Sequence, residues 1–387
     1  MSRIPVLSLA AITLAGLAGC TSDVAREVPQ YTVAQFYEND SYFGGSFSHD
    51  NARILVSSNR SGVFNAWTFP VGGGEPEQLT TSTTDAVFAS SFFPDDARLL
   101  YSSDQGGNEL SHLYVREVDG TVTDLTPGDN LTASFAGWAD DDASFFVQSN
   151  ERNPQAFDVY EYATDGYART IFYQNDEALQ PGPMSPDKRH IALVRSYTTS
   201  NTDIILHDRQ SGTSVNITEH EGDVSNSPAD FTPDGSALLF TTDSDGEYSA
   251  LKSYDLATGD VTTLLAPDYE VLGGGYSRSG NYLVVATNEE ARLQVRVFDA
   301  ATMTEVQFEG MPAGLVTGFS ISRDDSYVSF YNTDGSTPAD LWVAPLEGAP
   351  NRLTSALSAD INGEDLVVPQ HVWFESYDGT QIPGLLY

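Results

Sequence analysis

Short apolar runs recur along the chain, each led by a small polar turn. The runs are Ile54-Leu55-Val56, Leu99-Leu100-Tyr101, Phe145-Phe146-Val147, Ile191-Ala192-Leu193-Val194, Leu238-Leu239-Phe240, Tyr282-Leu283-Val284-Val285 and Tyr327-Val328-Ser329-Phe330. Ahead of them stand Ser48-His49-Asp50-Asn51, Phe93-Pro94-Asp95-Asp96, Trp138-Ala139-Asp140-Asp141, Ser185-Pro186-Asp187-Lys188, Thr232-Pro233-Asp234-Gly235, Ser277-Arg278-Ser279-Gly280 and Ser322-Arg323-Asp324-Asp325. The third residue of these turns falls at 50, 95, 140, 187, 234, 279 and 324, in steps of 45, 45, 47, 47, 45 and 45. A period this regular marks a repeat architecture.

Runs so brief, apolar on both faces, suit strands sandwiched between neighbouring sheets. A third run follows in each unit, as in Ala66-Trp67-Thr68-Phe69 and Val159-Tyr160-Glu161-Tyr162. A more polar fourth comes next, as in Thr123-Asp124-Leu125-Thr126 and Arg352-Leu353-Thr354. One four-stranded sheet cannot bury both faces alone, whereas radially packed sheets bury each other. The pattern therefore predicts an all-β fold, a seven-bladed β-propeller of four-stranded antiparallel blades. The Asp-Asn, Asp-Asp and Asp-Gly pairs suit the first hairpin of each blade because these residues tolerate positive φ. Helix is expected only at Thr32 to Tyr37, for a turn or two.

Composition agrees: aromatics make up 11% and there are 32 Gly and 19 Pro, enough for a large core joined by many turns. Charge narrows the partners. With 55 acidic against 18 basic side chains the net charge is −37, which repels phosphate backbones and argues against nucleic acid. The acidity is expected to keep the chain soluble in a salty medium that screens its self-repulsion. Calcium is the rival use. The nearest approach to a calcium loop is Thr242-Asp243-Ser244-Asp245-Gly246, which lacks the required spacing and reads as a hairpin turn.

Residues 1–20 carry Arg3, an apolar stretch from Ile4 to Leu17 and small residues before Cys20, which fits an export signal. The stretch is too short and too poorly flanked to read as a membrane span. Leu17-Ala18-Gly19-Cys20 resembles a bacterial lipobox, and Cys20 is the chain's single cysteine. A lone cysteine cannot form an internal disulfide, so a lipid on Cys20 is expected to be the chain's link to a membrane. The implied location is the cell envelope, facing the periplasm. Thr21 rather than Asp after the cysteine points to the outer membrane.

Several segments resemble the propeller of the prolyl-oligopeptidase (S9) family of serine peptidases, in particular its acylaminoacyl-peptidase-like branch. They are Ser149-Asn150-Glu151-Arg152-Asn153-Pro154 with Phe157-Asp158-Val159-Tyr160, then Ile217-Thr218-Glu219-His220-Glu221-Gly222, then Asp230-Phe231-Thr232-Pro233-Asp234-Gly235. The Ser-Pro-Asp-Gly type of blade turn is shared with Tol-associated propellers. After the seventh unit, Val372 to Tyr387 reads strand, turn, strand, as does the opening of the α/β-hydrolase domain in that family. The expected divisions are 1–20 signal, 21–43 tether and lead-in, 44–357 propeller, and 358–387 linker and first strands of a hydrolase domain that is otherwise missing.

The resemblance implies hydrolysis of short peptides or acyl-peptides by that hydrolase domain, with the propeller capping its active site. No catalytic residue, cofactor or metal is expected within this chain. A serine hydrolase of this kind needs its nucleophile in G-x-S-x-G. The near misses at Gly44, Gly212, Gly275 and Gly318 all lack the final glycine. The six histidines, His49, His112, His190, His207, His220 and His371, are scattered without metal-ligand spacing. The chain alone is therefore expected to be inactive.

Two acidic and basic pairs warrant a place. Glu289-Glu290 matches, as a dipeptide, the pair with which a dipeptidyl-peptidase branch holds a substrate amine, but it lacks the surrounding motif and reads as a solvated turn. Arg152, beside Glu151, is the candidate for contact with a peptide carboxylate or carbonyl; alternatively it pins its own loop through Glu151 or a neighbouring acid. The rival to a peptidase propeller is a stand-alone envelope lipoprotein that binds peptides, glycans or proteins, since fold alone does not separate the two.

Overall fold

The computed structural model describes residues 29–387. The expected signal at 1–20, its Cys20, and the first part of the tether lie outside the described residues. Seven four-stranded antiparallel sheets follow one another along the chain, each built from four consecutive strands. The first comprises Tyr42–Phe47, Arg53–Ser58, Asn65–Pro70 and Glu77–Gln78, and the seventh ends with Asn351–Arg352. The strands thus span 42–352, close to the predicted propeller. The short helix Val33–Tyr37 precedes them. Its start is set by a capping box in which Thr32 accepts from the Gln35 N–H while the Gln35 side chain reaches back to the Thr32 backbone.

Apolar clusters join six of the seven neighbouring blade pairs, and a seventh packs blade 7 on the segment that leads into it. Phe93, Leu100 and Leu113 of blade 2 meet Phe145, Tyr160 and Tyr162 of blade 3. Leu55 and Ala66 of blade 1 meet Phe92, Leu99 and Tyr101 of blade 2. Blades 3 and 4, 4 and 5, and 5 and 6 pair in the same way, while blade 7 packs on Phe308 and Met311 of the segment that joins it to blade 6. The ring closes where Tyr42, Ile54 and Phe69 of blade 1 pack on Tyr331, Leu341 and Val343 of blade 7. Blade strands apolar on both faces are explained by this arrangement.

The first strand of every blade lines the axis, and in all seven its pairing with the second strand slips at a bulge. Bulges bend a strand and re-aim its side chains, which lets these short strands run along a channel wall. Six of the seven first hairpins carry one positive-φ residue, at Asn51, Asp142, Lys188, Gly235, Gly280 and Asp325. In blade 1 the Ser48 hydroxyl donates to Asp50, whose carboxylate accepts from the Ala52 N–H. Blades 4, 5 and 7 repeat the hydroxyl-to-carboxylate contact. Blade 2 departs from the expected geometry. Phe93 supplies no hydroxyl there, Asp96 keeps negative φ, and Arg98 both binds Asp96 and stacks 4.1 Å over the Phe93 ring.

After the ring, Gln370–Glu375 pairs with Gln381–Leu386 in a separate two-stranded hairpin, the strand-turn-strand expected from the sequence. No helix among the described residues is long and apolar enough to cross a membrane.

Candidate functional site

A propeller offers its axial channel and its two ends as sites, and here each end has a distinct origin in the blade topology. The first hairpins and the loops from third to fourth strand lie at one end, the turn face. The hairpins from second to third strand and the connections between blades lie at the other, the hairpin face.

The turn face is spanned by charge. Arg278, in the blade 6 turn, donates from Nη1 to Asp140 at 2.5 Å and from Nη2 to Asp142 at 2.6 Å and the Ala139 carbonyl at 2.7 Å. Arg323, in the blade 7 turn, also binds Asp142. The acids belong to the blade 3 turn, the farthest position round a seven-membered ring from blades 6 and 7. Arg278 lines two channel cavities, one of about 450 Å³ against blades 1, 2, 6 and 7 and one of about 440 Å³ against blades 3 to 6. It stands as a bar between them. Nothing in the repeat pattern points to this contact, because the partners lie 136 to 181 residues apart.

The second cavity holds Asp230, on the first strand of blade 5. Its carboxylate accepts from the Phe231 N–H and, across the blade boundary, from the Tyr276 N–H, both at 2.8 Å. A Cβ on Gly275 would lie 3.2 Å from Asp230 Oδ2, so the glycine makes room for the carboxylate. Burial, outweighing the two N–H donors, pushes the Asp230 carboxyl up to about 6. Ser46 takes the equivalent place between blades 1 and 2, accepting from the Phe92 N–H at 3.0 Å. Asp230 is thus an inter-blade stitch made with an ionisable group.

Arg152 and Glu151 sit on the hairpin face, in the long second strand of blade 3, Ser144–Asn153. They do not act on one partner. Glu151 pairs with Arg169 at 2.9 Å. The Arg152 guanidinium grips the buried Asp158 through two bonds of 2.6 and 2.8 Å, and also reaches the Asn175 carbonyl and Asp176. The Asp158 hydrogen bond holds Arg152 more firmly charged than usual. Asp158 is the third residue of the strand Ala156–Ala163, at the position where blades 1 and 7 have Asn65 and Asp340, which accept from Thr80 and Thr354. Arg352 clasps Asp340 as Arg152 clasps Asp158. The alternation of these positions along the repeat is the signal that identifies Asp158 as a blade clasp.

Glu289 is held by Arg296 at 2.8 Å, while Glu290 occupies a two-residue turn at positive φ near Arg292 and His371. The two carboxylates therefore serve different partners. Asp245 of the calcium-loop candidate is engaged by Lys252 at 2.7 Å. His112 meets Asp124 at 2.9 Å and His220 meets Asp203 at 3.2 Å, both beside third-strand starts in different blades.

A ring of seven four-stranded sheets, with no strand exchanged at closure among the described residues, defines a seven-bladed propeller. The sequence pattern of the family described as "Prolyl oligopeptidase, N-terminal beta-propeller domain" matches residues 75–344, and the chain belongs to that family. Over 334 residues it is 26% identical to dipeptidyl aminopeptidase BIII of Pseudoxanthomonas mexicana, covering 84% of this chain and 48% of that enzyme. Among solved structures it is similar to a Mycobacterium tuberculosis puromycin-hydrolyzing peptidase, with a TM-score of 0.69, 14% identity, and coverage of 90% of this chain and 58% of the other. Prolyl oligopeptidase B of Galerina marginata gives 0.65 and 14%, covering 90% and 55%. The chain spans about half the length of these relatives.

Proposed function

We propose that this propeller gates substrate access to a serine-peptidase site supplied by an α/β-hydrolase domain joined to it, in an exported lipoprotein anchored through Cys20. Family membership is the observation that carries the reading, since the relatives are peptidases of about twice this length. The layout of the hairpin face supports it. There the segment before blade 1 meets the segment after blade 7: the Tyr31 hydroxyl donates to Asp365 at 2.7 Å, the Asn362 N–H donates to the Tyr31 hydroxyl, and the Ser358 N–H donates to Asn39 at 2.8 Å. A domain attached to either segment would cover that face.

In this reading Ser, Asp and His of the hydrolase do the chemistry, and the propeller limits entry to short or flexible peptides. Arg152 offers a peptide only its solvent-facing edge, because Asp158 holds the rest. The test is the coding sequence beyond codon 387 followed by expression of the longer protein. An in-frame G-x-S-x-G and phosphonate-sensitive cleavage of dipeptidyl or acyl-peptide substrates support the proposal. An immediate stop, with specific peptide or glycan binding by the chain itself, supports the stand-alone binding lipoprotein instead. For the anchor, Cys20→Ser should move the protein from the membrane to the soluble fraction of the envelope.

A further inference from the structure

We propose that Arg278 and Arg323, with Asp140 and Asp142, form an electrostatic latch across the channel that holds the ring shut at the seam between blades 7 and 1. Three observations converge on it, and none depends on a catalytic role.

Among the described residues the seam is bridged by no strand. Every blade is made of its own four consecutive strands, so blade 7 and blade 1 meet only by side-chain packing and by the terminal segments. Propeller closure elsewhere in the ring has the polypeptide itself as a tether, since consecutive blades are joined by short connections.

The seam is also poorly satisfied. Ser329 Oγ, Tyr331 Oη and Trp67 Nε1 are buried there without a hydrogen-bond partner among the described residues. Tyr331 lies 4% exposed, and burial drives its hydroxyl far above the usual tyrosine range. Each buried, unpaired polar atom costs the closed state and favours any opening that lets water reach it. Between blades 1 and 2, by contrast, the Ser46 and Ser91 hydroxyls lie 3.2 Å apart and each finds a further backbone partner.

The ion cluster acts on the motion the seam would allow. Opening between blades 7 and 1 swings blades 6 and 7 away from blade 3 along the longest chord of the ring. Arg278 and Arg323 are the side chains that span that chord, and both end on the blade 3 turn. The four side chains are 22% to 47% exposed, enough for salt to reach them and little enough for the pairs to hold. Asp142 takes both arginines, so the cluster couples blade 6 to blade 7 as well as each to blade 3. The latch also bars the turn-face mouth, which directs any ligand of the channel to the hairpin face or to the seam.

Amide hydrogen exchange on the full chain tests this, comparing the native protein with the Arg278→Gln/Arg323→Gln variant. In about 0.05 M salt the variant should exchange roughly tenfold faster along the inner strands of blades 1 and 7, Tyr42–Phe47 and Leu315–Ile321, with blades 4 and 5 unchanged. In about 1 M salt the difference between the two proteins should shrink toward nothing as screening weakens the native latch. Equal seam exchange in the two proteins, or a uniform rise over all seven blades, would overturn the proposal. If the variant does not fold, the native protein alone decides. Its seam protection relative to blades 4 and 5 must fall as salt rises, and a constant ratio refutes the latch.

Discussion

The turn face and the hairpin face are built from the same four strands per blade, yet one repeats and the other does not. On the turn face six of seven first hairpins carry a positive-φ residue, and in four of them a hydroxyl-to-carboxylate contact locks the turn. On the hairpin face the link from second to third strand ranges from the two residues 290–291 in blade 6 to the eight residues 104–111 in blade 2. An aromatic trio, Phe43, Phe64 and Phe88, also clusters there with ring centres 5.1 to 5.6 Å apart, and Phe43 is 39% exposed. The contrast teaches that the repeat fixes the turn geometry that closes each blade, the Arg98 turn and the Arg278–Arg323 cluster apart, whereas the hairpin face varies in loop length and in the aromatic groups it presents.

If that division is right, substitutions in the repeat should cost stability and those on the hairpin face should not. The largest effect is expected for Phe145→Ala. Phe145 is fully buried between blades 2 and 3 against Phe93, Trp138 and Tyr162, so its loss should cost about 3–5 kcal/mol in urea unfolding. A cost below that of a surface change would break the account of inter-blade packing.

Asp230 comes next, through pH. Its folded carboxyl titrates near 6 against 3.8 for the unfolded chain, so the folded state binds this proton more tightly. The stabilisation is present below the unfolded value and disappears as pH rises through about 6. Between pH ~4 and pH ~7 it should amount to roughly 2 kcal/mol. Asp230→Asn should remove that slope, and an unchanged pH profile would contradict the assignment.

Smaller again is Gly280→Ala. Gly280 has φ +77°, and an added Cβ would meet Pro233 Cγ at 2.7 Å. A loss of about 1–2 kcal/mol is expected on thermal unfolding. At the far end of the scale, Phe43→Ser on the hairpin face should cost less than about 1 kcal/mol. Once a hydrolase domain is present, the same change should alter KM for peptides with apolar side chains. A Phe43→Ser cost as large as that of Phe145→Ala would erase the distinction between the faces.

The ring was legible in the sequence because burial on both sheet faces leaves short apolar runs at a fixed period. The N-terminal helix was legible too, since Thr32 and Gln35 stand at capping-box spacing. The inner-strand bulges were not, because a bulge moves pairing by one residue without changing composition. Neither was the Arg278–Asp142 contact, in which the fold joins turns with no sequence relation to each other. Arg152 was legible as a candidate, but its grip on Asp158 becomes clear only when Asn65 and Asp340 are seen to hold the same blade position. At blade 2 the turn departs from the others, and Arg98 there binds Asp96 and stacks on Phe93.

The central proposal is that the chemistry belongs to an attached hydrolase domain, so the seven sheets by themselves should turn over no peptide. Incubating the pure 387-residue chain with fluorogenic dipeptidyl and acyl-peptide substrates, with and without a serine-directed phosphonate, tests it most directly. The account predicts no turnover and no phosphonate adduct in the intact mass. Hydrolysis abolished by the phosphonate, with one adduct per chain, would contradict it.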